Sequence, residues 1–153
     1  MKRIERTLSS LVSSTAPPCV TRDVTVSEAV DLMRERRAGC VVVLDGERLE
    51  GIFTERDFLC RVAGERLRPE ATPVGDVMTR SPDVLAPGDP LTWAVNRMVV
   101  GGYRNIPIAG PDGRLESVLT MRDIVWHLAE VFADADRPSA EDEPPGWVDE
   151  GGG

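Results

Sequence analysis

The sequence predicts a mixed α/β (α+β) fold built from two tandem β-α-β-β-α units, and three observations carry that prediction. The chain matches itself when slid by about 65 residues. Each copy alternates short apolar β-branched runs with amphipathic helical stretches. Each copy also closes on one quartet, Thr54-Glu-Arg-Asp57 in the first and Thr120-Met-Arg-Asp123 in the second.

The register of the repeat is clear residue by residue. Pro17 falls on Pro82, Val20 on Leu85, Val26 on Leu91, Met33 on Met98, and Val41 and Val43 on Ile106 and Ile108. After one added residue at the turn, Leu49 meets Leu115, Ile52 meets Val118, and Arg56-Asp57 meets Arg122-Asp123.

In the first copy an extended piece at Cys19–Val20 precedes a helix over about 27–37, with Ser27 as its N-cap and Ala29, Val30, Leu32 and Met33 as its apolar stripe. A strand from Cys40 to Leu44, a tight turn at Asp45-Gly46 and a strand from Leu49 to Phe53 follow. Thr54 then opens a helix through Phe58, Leu59 and Val62 that closes near Gly64.

In the second copy Val84–Leu85 is the extended piece. Asp89 caps a helix with Pro90 at its first position, and Leu91, Ala94, Val95, Met98 and Val99 form the stripe. Asn105 to Ala109 and Leu115 to Leu119 are strands joined by the Pro111-Asp112-Gly113 turn. A helix from Thr120 carries Ile124, Val125, Leu128 and Val131.

The expected organisation is a lead-in segment (1–13, with Leu8, Leu11 and Val12), a first unit (14–64), a polar linker (65–73), a second unit (74–133) and an acidic tail (134–153). Val74 to Met78 reads as a helical lead-in to the second unit, as Leu8 to Val12 does to the first. The tail, with seven acids against one base, holds six of the eight net negative charges and reads as disordered. A near-neutral body with an acidic tail argues against nucleic-acid binding. No apolar run is long enough for a membrane helix and no signal peptide is evident, so a soluble cytoplasmic protein is expected. Three scattered cysteines, Cys19, Cys40 and Cys60, suggest reduced thiols, with neither a disulfide framework nor a metal site.

The quartets have two readings. Thr-x-x-Asp before an apolar run is a capping box, in which both side chains satisfy free backbone N–H groups. The same arrangement could also hold a sugar phosphate. Thr54 or Thr120 would donate to phosphate, Arg56 or Arg122 would neutralise its charge, and Asp57 or Asp123 would accept from ribose hydroxyls.

The paired units, each ending in Gly/Ser, two apolar residues and Thr-x-Arg-Asp, resemble a tandem CBS (cystathionine-β-synthase) domain over about residues 8–132. Tyr103-Arg-Asn-Ile-Pro-Ile108 and Val74-Gly-Asp-Val-Met-Thr79 strengthen the likeness. The resemblance implies two units packed with pseudo-two-fold symmetry, and two clefts that take an adenosine-containing effector such as AMP, ADP, ATP, NAD or S-adenosylmethionine. It also implies a homodimer, and the chain then reads as a regulatory module acting on a protein partner, with no catalytic role and no built-in cofactor. Thr54 with Asp57 and Thr120 with Asp123 would contact phosphate and ribose. Val20, Val84, Val41 and Ile106 would edge the base pockets. The first copy lacks counterparts of Arg104 and Pro107, so Arg104 favours the Asp123 cleft, and Ser117 in place of Gly51 would tighten backbone access there.

The competing reading is a dimerisation scaffold of the same fold with vestigial clefts. No nucleophile–base pair, metal cluster or phosphate-binding glycine loop supports an enzyme. His127 is expected on a helix surface or partly buried, Trp93 and Trp126 at an interface, and Trp147 in a solvated tail.

Overall fold

The computed structural model describes residues 7–11 and 15–135. Val12, Trp147 and the acidic tail beyond 135 lie outside the described residues.

A single 3₁₀ turn, Leu8–Ser10, opens the described chain. The first repeat then runs β1 (Cys19–Val20), α1 (Val26–Arg36), β2 (Cys40–Asp45), β3 (Arg48–Thr54) and α2 (Glu55–Asp57). α2 continues as a π-wound segment, Phe58–Ala63. A short helix α3 (Val74–Val77) and strand β4 (Thr79–Arg80) lead to α4 (Leu91–Gly101), β5 (Asn105–Ala109), β6 (Leu115–Thr120) and α5 (Met121–Ala135).

Local chemistry places these elements, with some differences from expectation. Thr25, not Ser27, caps α1: its hydroxyl accepts from the Glu28 N–H while the Glu28 carboxylate accepts from the Thr25 N–H, a reciprocal pair. That bond holds the Glu28 carboxyl below its ordinary range. Its contribution is therefore present above that range and fades as pH falls through it.

Pro90, not Asp89, occupies the cap position of α4. The Asp89 carboxylate instead accepts from the Ala86 N–H, closing the turn before the helix. The apolar stripe of α4 is narrower than its composition suggests: Leu91, Ala94 and Met98 are buried, whereas Val95 and Val99 face outward. The helix after Thr54 winds as π beyond its first turn, Gly64 keeps right-handed backbone, and the left-handed residue is Arg66 (φ 55°).

In the first sheet the order is β1-β2-β3-β4, with β1 parallel to β2 and the other pairs antiparallel. β5 and β6 pair antiparallel, and Leu85 bridges to Ile108 in parallel, so Leu85 repeats the part β1 plays. The two hairpins meet around an approximate two-fold axis. The Leu49 N–H donates to the Gly113 carbonyl (3.1 Å) and the Leu115 N–H to the Glu47 carbonyl (3.3 Å), each residue answered by its repeat mate. Beneath these bonds Cys40, Val42, Ile52 and Val118 form a shared apolar layer.

The lead-in segments are exchanged. Val74, Val77 and Met78 pack into the first repeat's core with Val26, Met33, Val41 and Phe53. Leu8, fully buried, joins the second repeat's core with Leu85, Met98, Ile106 and Leu119. Backbone bonds agree: Val74 N–H to Val24 carbonyl (2.7 Å), and Leu8 N–H to Asp89 carbonyl (3.3 Å). Each lead-in therefore serves the unit opposite to the one it precedes.

Leu8→Ala should lower stability by about 2–5 kcal/mol in urea denaturation, because it empties a filled position in the second core. Thr25→Ala should cost about 1 kcal/mol in the same assay through the lost cap.

Candidate ligand cleft

Strand β3 delivers Thr54 in extended backbone at the point where α2 begins, and Asp57 follows one turn later. Both quartets form the capping box. Asp57 Oδ2 accepts from the Thr54 N–H and hydroxyl, each at 3.0 Å, and the Asp57 N–H donates to Thr54 Oγ1 at 3.2 Å. The corresponding distances at Thr120 and Asp123 are 2.7, 2.7 and 3.2 Å.

Asp57 does more than cap. Its Oδ1 accepts from the Thr79 hydroxyl at 3.0 Å and lies 3.5 Å from Arg61 Nε. Arg61 in turn donates to the Met78 carbonyl at 2.7 Å and reaches Val77 at 3.4 Å. Asp57, 6% exposed, thus ties the start of α2 to the lead-in that crosses from the other repeat. Gly51 permits that crossing, since a Cβ there would lie 2.5 Å from Met78 Sδ and 2.8 Å from the Thr79 carbonyl. The glycine serves close packing of β4 against β3.

Beside this clasp opens a cavity of about 540 Å³. One wall comes from the first repeat, with Thr54, Glu55, Arg56, Asp57 and Arg61. The other comes from Ser81–Asp83 and from Gly102 to Ile106 of the second repeat. Arg104, expected at the Asp123 cleft, lines this cavity beside Asp57, while its carbonyl accepts from the Met121 N–H (2.8 Å) at the second quartet.

Charge in the cleft is unevenly committed. Asp57 is held by Arg61, and Asp83 pairs with Arg97 at 3.0 Å. Arg56 and Arg104, from opposite walls, have no ion-pair partner among the described residues. Arg56 extends toward Gly102, where a Cβ would stand 3.5 Å from its Nη1. Two arginines on one mixed polar and apolar cavity, beside the Glu55 carboxylate, suit a ligand with an anionic group and an apolar body. Ser81, on the same wall, holds left-handed backbone at φ 46°, an uncommon state for a residue with a side chain.

Of the other expected residues, Ile106 lines this cavity. Val41 is fully buried in the first core, and Val20 is half-buried against that core, so neither forms this wall. Val84 is exposed and just outside it; Ser81 to Asp83 take that place. Thr120, Arg122 and Asp123 do not line this cavity and sit at the pseudo-symmetric position.

Residue-pattern reasoning missed Thr79 and Arg61. Arg61 carried a signal, the i,i+4 spacing from Asp57; Thr79 carried none, because its partner is 22 residues away. His127 is 4% exposed, more deeply buried than expected, and neither ring nitrogen has a hydrogen-bond partner. In the repeat register it stands where Arg61 stands. Among the described residues no group of three or more acidic, cysteine or histidine side chains could hold a metal ion, and no helix is long and apolar enough to cross a membrane.

Cys40 sits opposite Thr54 on β2 and is buried, which pushes its thiol up to about 12, with smaller contributions from Cys19 and Glu55. Burial favours the neutral thiol, so this stabilisation is complete below the ordinary thiol range and is lost as pH climbs toward 12.

The profile of the CBS domain family matches residues 8–64 and 74–130. A curated relative, the uncharacterized 17.7 kDa protein in the bps2 3' region of Acidianus ambivalens, is 31% identical over 123 residues, spanning 80% of this chain and 73% of its own. The CBS domain-containing protein CBSCBSPB1 of Arabidopsis thaliana is 34% identical over 95 residues, 62% of this chain. The match covers only 18% of that plant protein.

Among solved structures, the CBS domain protein PAE2072 from Pyrobaculum aerophilum, complexed with AMP, superimposes with a TM-score of 0.75 at 23% identity, covering 85% of this chain and 98% of that one. The CBS domain pair of protein MJ0100, in complex with 5'-methylthioadenosine and S-adenosyl-L-methionine, gives 0.73 at 16% identity, covering 82% and 98%.

Thr79→Val should remove one acceptor contact of Asp57 and lower stability by about 1 kcal/mol in thermal or urea unfolding. Cys40 should resist iodoacetamide at pH 8 in the folded protein, as mass spectrometry of the alkylated thiols would show, and react once the protein is unfolded in urea.

Proposed function

The chain belongs to the CBS domain family, and on that premise we propose that it is a regulatory module whose Asp57 cleft binds a phosphorylated adenosine ligand. The observation that carries this reading is that Arg56 and Arg104, from different repeats and without an ion-pair partner among the described residues, line one cavity together with Thr54 and Asp57. The AMP complex of the P. aerophilum neighbour supports an adenine nucleotide in such a fold. The methylthioadenosine and S-adenosylmethionine complex of MJ0100 supports an adenosyl group more generally.

In this reading phosphate lies between the two arginines, and ribose hydroxyls approach the Asp57 carboxylate. Because the walls belong to different repeats, a bound ligand favours whichever arrangement of the repeats closes on it. The protein works as a homodimer, and the ligand acts by shifting which arrangement a regulated protein partner meets. The role is regulatory, without turnover of the ligand.

Thermal-shift measurements with AMP, ADP, ATP, NAD and S-adenosylmethionine test this. A ligand at 100 times its Kd stabilises by about 2.7 kcal/mol, a shift of several degrees. Arg104→Ala and Arg56→Ala, both at exposed positions, should keep the fold yet weaken phosphate-bearing ligands by about tenfold or more in calorimetry. No shift with any ligand would leave the fold as a scaffold and end the binding reading.

A further inference from the structure

Three acids and three arginines line the Asp57 cavity, and half of these charges are already answered. Asp57 is held by Arg61, and Asp83 pairs with Arg97, which lies outside the lining. Among the described residues that leaves Arg56, Arg104 and the Glu55 carboxylate without an ion-pair partner. The two arginines attract negative charge, and Glu55 opposes it.

Glu55 stands in the corner of the cavity where the two repeats meet. Its backbone N–H donates to the Gly39 carbonyl at 3.2 Å, which ties it to the chain just before β2. A Cβ on Gly39 would stand 3.8 Å from Glu55 Oε2 and 3.9 Å from Asn105 Nδ2, so the carboxylate and the Asn105 amide share that corner. Glu55 adjoins Arg56 in the chain, and Asn105 adjoins Arg104. The acid therefore neighbours both arginines while forming an ion pair with neither.

An acid in the first turn of a helix is ordinary, because it complements the backbone dipole. The second repeat shows that this start does not require one. Met121 stands at the matching position, and its N–H donates to the Arg104 carbonyl at 2.8 Å, as that of Glu55 does to Gly39. The same turn thus forms with a neutral side chain. In the first repeat Asp57 already closes the capping box. Glu55 is spare to the fold, and its side chain is left to the cavity.

We propose that Glu55 limits how much negative charge the Asp57 cleft accepts, and so selects a nucleoside monophosphate over the di- and triphosphate. This rests on the phosphorylated-adenosine reading above and adds the number of phosphates to it. A phosphate monoester carries about two negative charges near neutral pH, which the two arginines match. Each further phosphoryl group adds charge that no uncommitted arginine in the lining meets, with a carboxylate beside it. At an exposed, partly screened site this repulsion lowers affinity about tenfold.

The test is calorimetry of the full chain with AMP, ADP and ATP, in EDTA and at low salt. The wild type should bind AMP about tenfold more tightly than ATP, with ADP between them. Glu55→Gln keeps the shape and removes the charge. It should raise ATP affinity about tenfold and AMP affinity about threefold, narrowing the gap, while the melting temperature without ligand stays unchanged. Glu55→Asp should keep the preference for AMP. A preference for AMP that survives Glu55→Gln would show selection by size instead of charge. A wild type that takes ATP as tightly as AMP would show no selection. Either result overturns this role of Glu55 and leaves the nucleotide reading standing. If neither protein binds any of the three nucleotides, the nucleotide reading falls and this selection falls with it.

Discussion

Neither repeat closes its own core, and the remaining architecture follows from that. A half of some sixty residues buries too small a share of its surface to stand comfortably alone. Here each half is completed by a segment that belongs, in chain order, to the other side: Leu8 in the second core, and Val74, Val77 and Met78 in the first. The reciprocal backbone bonds around Glu47–Leu49 and Gly113–Leu115 then join the two hairpins edge to edge. The apolar layer of Cys40, Val42, Ile52 and Val118 seals the face between them.

The same packing makes the cleft a shared product. One wall carries the capping quartet and the other carries the start of the opposite hairpin, so Arg56 and Arg104 line a common space though 48 positions separate them. The repeats have diverged in complementary ways. The first keeps a charged helical exterior, and the second holds the apolar exterior of α4 and α5.

Much of this was legible in the residues because its signals are local. Thr54 to Asp57 and Thr120 to Asp123 read as helix starts from spacing alone, and β-branched runs such as Cys40 to Leu44 read as strands. The duplication revealed the pairing of elements. What stayed hidden depends on distant contacts. Leu8 and Val74 look the same whichever core they enter, so the exchange of lead-ins leaves no mark on periodicity. Arg104 lies in the second repeat's own segment, and only the folded chain reveals that it lines a cavity with the first repeat's quartet. The cap of α1 moved from Ser27 to Thr25 because Glu28 can answer only a residue three positions before it. The π winding after Asp57 preserves burial of Val62, so the apolar pattern there fits either helix type.

The Asp57 carboxylate is already engaged on both oxygens, by Thr54 on one side and by Thr79 and Arg61 on the other. A newcomer seeking that acid therefore meets an incumbent, and docking there is an exchange of partners instead of the filling of a vacancy. Arg61 is the incumbent with outside ties, since its guanidinium also grips the main chain at Met78. Loosening that grip would slacken the strap running from one half of the molecule into the other, so news of occupancy would leave through the backbone itself.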